Sequence, residues 1–307
     1  MARIRAFEET LISLRYAQEI SGVIHPSCGE EAVAVGVCQA LEERDWAVSY
    51  YRSHGHALAR GSDMTALMME MFGRRAGLSG GRGGAGRIVD LRHHFLAGAT
   101  IVGAGVAHAA GLALACQLRD PAAVSAVFFG DGATATGVFH EAATIASAQR
   151  LPLVLVCQNN LYQDHTRAED VLPTLELTRH GTAYDIAAET VDGTDVIAVH
   201  EAARRAVEHA RGHGPALLVA ATYLTYYHSQ VGVPPSEYRP AAELASWLRR
   251  DPLLRARERL VALGVPEAHL VAAARAADAE VDAAVRAARA AAPPDPETAT
   301  TNVYCHD

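Results

Sequence analysis

Positive charge is scarce in this sequence. Its 27 lysine and arginine residues face 35 aspartates and glutamates, for a net charge of −8. No basic cluster offsets that balance, which excludes a nucleic-acid footprint. Cysteine is sparse too. The five (Cys28, Cys38, Cys116, Cys157, Cys305) are odd in number and scattered, so they spell neither a disulfide framework nor a metal-binding spacing. A reducing cytoplasmic setting is the expectation. The first ten residues, M-A-R-I-R-A-F-E-E-T, carry charges and no apolar core, unlike a secretory signal. Long hydrophobic runs are also missing. Ala99 to Leu118 is uncharged and about one membrane span long. It is rich in glycine and alanine and holds His108 and Gln117, so it reads as a buried helix packed closely on a neighbour, not a span. No internal repeat and no separable second domain is visible. What remains is a 307-residue chain, half hydrophobic and one fifth charged, of the size of a single large α/β domain.

The most informative stretch runs from Val124 to Tyr162. An apolar run (Val127, Phe128, Phe129) stops at Gly130-Asp131-Gly132. A helical stripe follows, with Val138, Phe139, Ala142, Ala143, Ile145 and Ala146 at helix spacing. After Pro152 a second apolar run (Leu153 to Val156) ends at Asn159-Asn160. Strand, helix, strand makes the two strands parallel neighbours. Polar residues then stand where open parallel sheets bind ligands. Asp131 offers a carboxylate, Asn160 an amide oxygen, and the Tyr162 carbonyl a third oxygen. Mg²⁺ takes such ligands and shares its shell with phosphates. Gly130 and Gly132 let backbone approach a phosphate, and the next helix adds N–H groups and partial positive charge. Either motif alone reads as a turn. Set 29 positions apart at adjacent strand ends, they suggest a metal-bridged diphosphate.

Other polar clusters follow the same logic. Asp45 to Tyr51 reads as a short strand ending in Tyr51-Arg52-Ser53-His54-Gly55-His56. Arginine can fork two phosphate oxygens; the alternative is a solvated strand-end cluster. The methionine-rich stretch Met64 to Phe72 reads as a plain core helix. Leu78 to Gly86 is a glycine loop with the composition of a phosphate cradle. Gly103-x-Gly105 opens a dinucleotide fingerprint, but His108 takes the third glycine position and no strand-plus-acid follows. A nicotinamide or flavin oxidoreductase is therefore the weaker alternative. Val196 to Ala210 is an amphipathic helix, and Pro215 to Thr222 a buried strand that ends in a tyrosine-rich loop with His228-Ser229. Histidine there can donate to an anion or move a proton. Helices are expected again at Leu254 to Leu263 and Glu267 to Ala292.

G-D-G followed by N-N resembles the thiamine diphosphate motif. G-D-G-A, F-H-E-A, L-P-L-V and N-N-L-Y resemble the alpha subunit of 2-oxoacid dehydrogenases, the family of the pyruvate, branched-chain and acetoin enzymes. The resemblance covers nearly the whole chain. His25-x-x-x-Gly29-x-Glu31-Ala32, Tyr51-Arg52-x-His54-Gly55, Ile101-Val102-Gly103-Ala104, Val191-Asp192-Gly193-x-Asp195, Ser236-Glu237-Tyr238-Arg239 and the tail Asn302-Val303-Tyr304 echo family segments in order. The loop before His228-Ser229 departs: Leu224, Thr225, Tyr226 and Tyr227 replace the family's Arg, Tyr, His and Gly.

The resemblance implies an α/β thiamine diphosphate-binding fold, a Rossmann-like parallel sheet flanked by helices. It implies one domain over residues 1–307, with a helical tail from about residue 241. Thiamine diphosphate and Mg²⁺ are the implied cofactors. Asp131, Asn160 and Tyr162 would hold the metal. Tyr51, Arg52, Thr100, Val102, Gly130, Asp131, Gly132, Ala133, Asn160, Tyr162 and His228 would contact the cofactor. His25, His54 and His228 would serve catalysis or the substrate pocket, although a loop role for His25 stays open. In two-chain relatives the glutamate that activates the aminopyrimidine belongs to the beta subunit. Half an enzyme is therefore expected, working as two alpha and two beta chains. It would decarboxylate a 2-oxoacid or cleave an acyloin and pass the acyl unit to a lipoyl-bearing acyltransferase or an acyl carrier protein. A non-catalytic scaffold subunit of the same fold is the remaining alternative.

Overall fold

A computed structural model describes residues 1–97, 100–231 and 237–301. Ala99, Ser236, Asn302, Val303, Tyr304 and Cys305 of the motifs above lie outside the described residues.

Helices α1 (Ala2–Tyr16) and α2 (Glu31–Cys38) lead into strand β1 (Trp46–Val48). Then come α3 (His54–Arg60), α4 (Met64–Met71), β2 (Ile88–Asp90) and β3 (Phe95–Ala97). Next are α5 (Ala104–Arg119), β4 (Ser125–Gly130), α6 (Gly137–Ala148) and β5 (Leu153–Asn159). A small hairpin, β6 (Tyr162–Gln163) and β7 (Thr166–Arg167), precedes α7 (Ala168–Val171) and α8 (Arg179–Ala183). The chain continues through β8 (Ala187–Asp192), α9 (Val196–Gly212) and β9 (Ala216–Ala221). Helices α10 (Ala241–Leu248), α11 (Pro252–Ala262) and α12 (Glu267–Ala290) follow.

Seven strands form one sheet in the order β2-β3-β1-β4-β5-β9-β8. Only the edge pair β2–β3 is antiparallel. The strand–helix–strand unit expected around Gly130 is β4–α6–β5, and its strands are parallel neighbours with Gly130 opposite Gln158. Alternation along the strands sorts side chains onto two faces. Phe128, Val154, Val156 and Leu218 join a core with α1, α2, α4, α9 and α12. Val127, Phe129, Leu155 and Val219 join a second core with α5 and α6. Both faces are covered, which explains why the strands read as unbroken apolar runs.

Three sequence expectations shift. Ile145 is not part of the buried stripe of α6; it is 55 % exposed, while Phe139, Ala142, Ala143 and Ala146 face the sheet. The helix α5 buries only one face, through Val106, Ala109, Ala110 and Ala113; Leu118 on the other side is 74 % exposed. No helix among the described residues is long and apolar enough to cross a membrane. The helix α4 is more than plain core, because Glu70 is fully buried within it. Its carboxylate accepts four backbone N–H bonds from the glycine loop: Ser79 and Gly81 at 2.8 Å on Oε2, Gly83 and Gly84 at 2.8 and 3.0 Å on Oε1. A loop with the composition of a phosphate cradle is thus wrapped around the chain's own anion.

Candidate functional site

The strand order reverses between β1 and β4. From β1 the chain adds β3 on one side, then crosses back through α5 to add β4 on the other. Crevices at such switch points, beyond the C-terminal strand ends, are where doubly wound sheets bind ligands. Here the crevice opens into a cavity of about 760 Å³. Tyr50, Tyr51 and Arg52 line it just beyond β1, Gly130 to Ala133 at the end of β4, and Asn160 and Tyr162 beyond β5. Thr100, Val102 and Gly103 form a further wall before α5. Gly103 has φ +83°, and a Cβ there would lie 2.4 Å from Thr136 Oγ1, so only glycine lets α5 start this close to α6. The glycine loop held by Glu70 supplies the wall from Gly83 to Arg87.

Asp131 is 1 % exposed, and its Oδ2 has no hydrogen-bond partner among the described residues. Burial pushes its carboxyl up to about 7. A buried carboxylate oxygen without a donor is costly unless a cation arrives. Asn160 stands beside it at the next strand end; its Oδ1 accepts the Tyr162 N–H at 3.2 Å, across a turn in which Leu161 has φ +71°. Among the described residues no group of three or more histidine, cysteine or acidic side chains could hold a metal. The donor set here is of another kind: carboxylate, amide oxygen and peptide carbonyl, the hard oxygen donors suited to Mg²⁺.

Arg52 is 1 % exposed. One terminal nitrogen donates to the carbonyls of Pro26 (2.6 Å) and His228 (3.2 Å), and the other lies 3.4 Å from His228 Nδ1. It therefore ties two loops to the cavity floor, which leaves less of its fork for phosphate than the sequence suggests. His25, Tyr51 and His228 form a ring cluster at one end of the cavity, with centroids 4.4 Å (His25–Tyr51) and 5.4 Å (His25–His228) apart. Burial and then the nearby Arg52 guanidinium depress both histidines, His25 to about 2 and His228 to about 4. Both rings are neutral near pH 7.

His54 is placed differently from the sequence expectation. It is fully buried on α3, its Nδ1 is 3.1 Å from Glu8 Oε2, and its ring packs edge-on against Phe7. It does not line the cavity. The structure also adds residues that pattern reading passes over. Glu30 is fully buried behind the cavity, and burial raises its carboxyl to about 7. An acid at a helix start reads as an ordinary complement to the helix dipole, which hides it in sequence. Glu70 carried a signal: it lies three positions after Leu67, on the apolar stripe of α4. Gln163 and Asp164 also line the cavity.

A doubly wound parallel sheet here carries hard oxygen donors and glycine backbone at its switch point, an arrangement suited to a diphosphate-bearing ligand. Comparison with solved structures agrees at the level of fold: transketolase from Leishmania mexicana superposes with a TM-score of 0.56 at 18 % identity, over 91 % of this chain and 47 % of that one. A transketolase from Campylobacter jejuni gives 0.56 over 85 % of this chain and 50 % of that one. The chain spans about half the length of these transketolases. The sequence comparisons are narrower. The model of the dehydrogenase E1 component family matches residues 1–297, and the chain belongs to that family. The alpha subunit of acetoin:2,6-dichlorophenolindophenol oxidoreductase from Bacillus subtilis is 41 % identical, over 74 % of this chain and 69 % of that protein. The pyruvate dehydrogenase E1 alpha subunit of Zymomonas mobilis is 39 % identical, over 88 % and 77 %. The acetoin subunit of Cupriavidus necator is 35 % identical over 99 % and 92 %.

Proposed function

We propose that this chain is the alpha-type subunit of a thiamine-diphosphate-dependent 2-oxoacid dehydrogenase, acting on a 2-oxoacid or an acyloin. The observation that carries the site assignment is the partnerless, buried Oδ2 of Asp131 beside Asn160 at the switch point. In this reading Asp131, Asn160 and the Tyr162 carbonyl hold Mg²⁺. Gly130, Gly132 and Ala133 admit the diphosphate, and Thr100 and Val102 pack along the cofactor. When bound, thiamine diphosphate supplies the nucleophilic carbon and the electron sink. The chain's own residues bind, orient and exclude water. The neutral rings of His25 and His228 offer hydrogen bonds and proton acceptance where the substrate enters. Tyr51 fixes the His25 ring by packing on it.

No glutamate is among the described residues that line the cavity. That supports a division of labour in which a beta subunit brings the activating carboxylate, in an assembly of two alpha and two beta chains. A lipoyl-bearing acyltransferase or an acyl carrier protein would take the acyl unit, in the cytoplasm. The test is calorimetric titration of thiamine diphosphate and Mg²⁺ into the chain co-purified with its beta partner, beside Asp131→Ala. Magnesium-dependent binding is expected, weakened in the variant by more than about 100-fold, the upper end for mere outer-shell partners. Absence of binding in the intact assembly overturns the enzymatic reading.

A further inference from the structure

We propose that Glu30 is a positioning residue that sets the orientation of the Asn160 amide and thereby presents Asn160 Oδ1 for metal binding; this rests on the metal assignment above. Glu30 stands at the N-cap position of α2 without capping it through its side chain; just before it Gly29 has φ +99°, and a Cβ there would fall 2.2 Å from the Tyr223 carbonyl. Only glycine allows α2 to dock this tightly on the end of β9, and that docking drives the Glu30 carboxylate beneath the cavity floor.

Three side chains converge on it. Asn160 Nδ2 donates to Oε1 at 3.1 Å, Gln158 Nε2 donates to Oε2 at 3.1 Å, and Arg52 Nε lies 3.8 Å from Oε2. The ionised carboxylate, which the Arg52 guanidinium alongside favours, only accepts, so each amide turns its NH₂ toward Glu30 and its oxygen away. Gln158 Oε1 is thereby left to the Tyr50 hydroxyl at 3.3 Å. Asn160 Oδ1 is left on the side of Tyr162, whose N–H it accepts. An asparagine amide has two nearly isosteric orientations, and only one shows oxygen to a cation. Glu30 removes the other. Groups that orient a ligand in this way are typically worth about 10–100-fold in metal affinity.

The experiment is a coupling test in the alpha–beta assembly, with Mg²⁺-dependent thiamine diphosphate affinity measured by calorimetry and folding by the thermal midpoint. Glu30→Gln offers the amide an acceptor or a donor equally. It is expected to weaken Mg²⁺-dependent binding about 10–100-fold with the assembly intact. Asn160→Asp alone sets two carboxylates face to face and is expected to bind worse still. The pair Asn160→Asp with Glu30→Gln restores an oxygen ligand and a donor facing it, so binding recovers relative to Asn160→Asp. If Glu30→Gln alone does not assemble, the double variant carries the test, because recovery there requires the two side chains to face each other. Wild-type affinity in Glu30→Gln, or penalties that merely add in the pair, overturns the inference. Failure of the wild-type assembly to bind the cofactor instead overturns the functional reading beneath it.

Discussion

Single ionisable residues here do opposite things with burial. His25, His56 and His228 are held low, at about 2, 3 and 4, by burial and then by Arg52. Unfolded histidine titrates near about 6.5. As pH falls below that value the unfolded chain takes up protons the folded chain refuses, so these three contribute stability above about 6.5 that is lost on acidification. Asp131 and Glu30, both raised to about 7 by burial, act in the reverse sense, because the folded chain protonates them first. The histidine contribution is therefore read as a difference. Between pH 7 and pH 5, His25→Asn is expected to lose less stability than wild type in urea unfolding. A parallel pH dependence in the two proteins would contradict neutral burial of His25.

At the scale of elements, the cavity is assembled from strand ends plus one borrowed wall. The glycine loop has no strand or α-helix of its own to hold it; Glu70 of α4 does so with four N–H bonds. A hydrogen bond to a charged group is worth about 1.5–3 kcal/mol, less where its donor is half-exposed as these are. Glu70→Ala is accordingly expected to loosen residues 78–87 first. Limited trypsin digestion should then cut rapidly after Arg82, an exposed position, while the sheet stays resistant. An unchanged digestion pattern would show that the loop is held by something else. A second clamp sits across the site: Glu243 of α10 accepts the hydroxyls of Tyr162 and Tyr223 at 2.9 and 2.7 Å, and Trp247 stacks on Tyr223. The helix α10 is thus joined to the loop that carries Tyr162, proposed as the third metal ligand.

At the scale of the whole molecule, the proposed reading divides the active site between two chains, and no glutamate is among the described residues that line the open cavity. The chain alone is expected to turn over a 2-oxoacid panel at background rate, with activity appearing on addition of the beta subunit. Full turnover by the isolated chain would refute the divided site. The last helix, α12, is not peripheral to folding. Val281, Ala284 and Val285 of α12 lie in the core shared with α1 and α4.

The sequence by itself determined four of the strands (β1, β4, β5 and β9), the parallel β4–β5 pair, the family, and which polar residues stand at their ends, but not the strands β2, β3 and β8. The features it determined follow from local rules, namely side-chain periodicity, glycine at turns and the short reach of a strand–helix–strand crossover. It could not determine which side chains lie behind the site. His54 looked like a site residue because it follows Tyr51-Arg52, yet the turn into α3 points it back to Glu8. Pattern alone does not single out Glu30, and it shows Glu70 only as an acid on an apolar stripe; the fold buries the first against Asn160, 130 positions away, and the second inside the glycine loop. Burial of a charge is a property of packing between distant segments. Only the tertiary structure decides it, because the partners that make it tolerable are brought together by the fold and not by the spacing of residues.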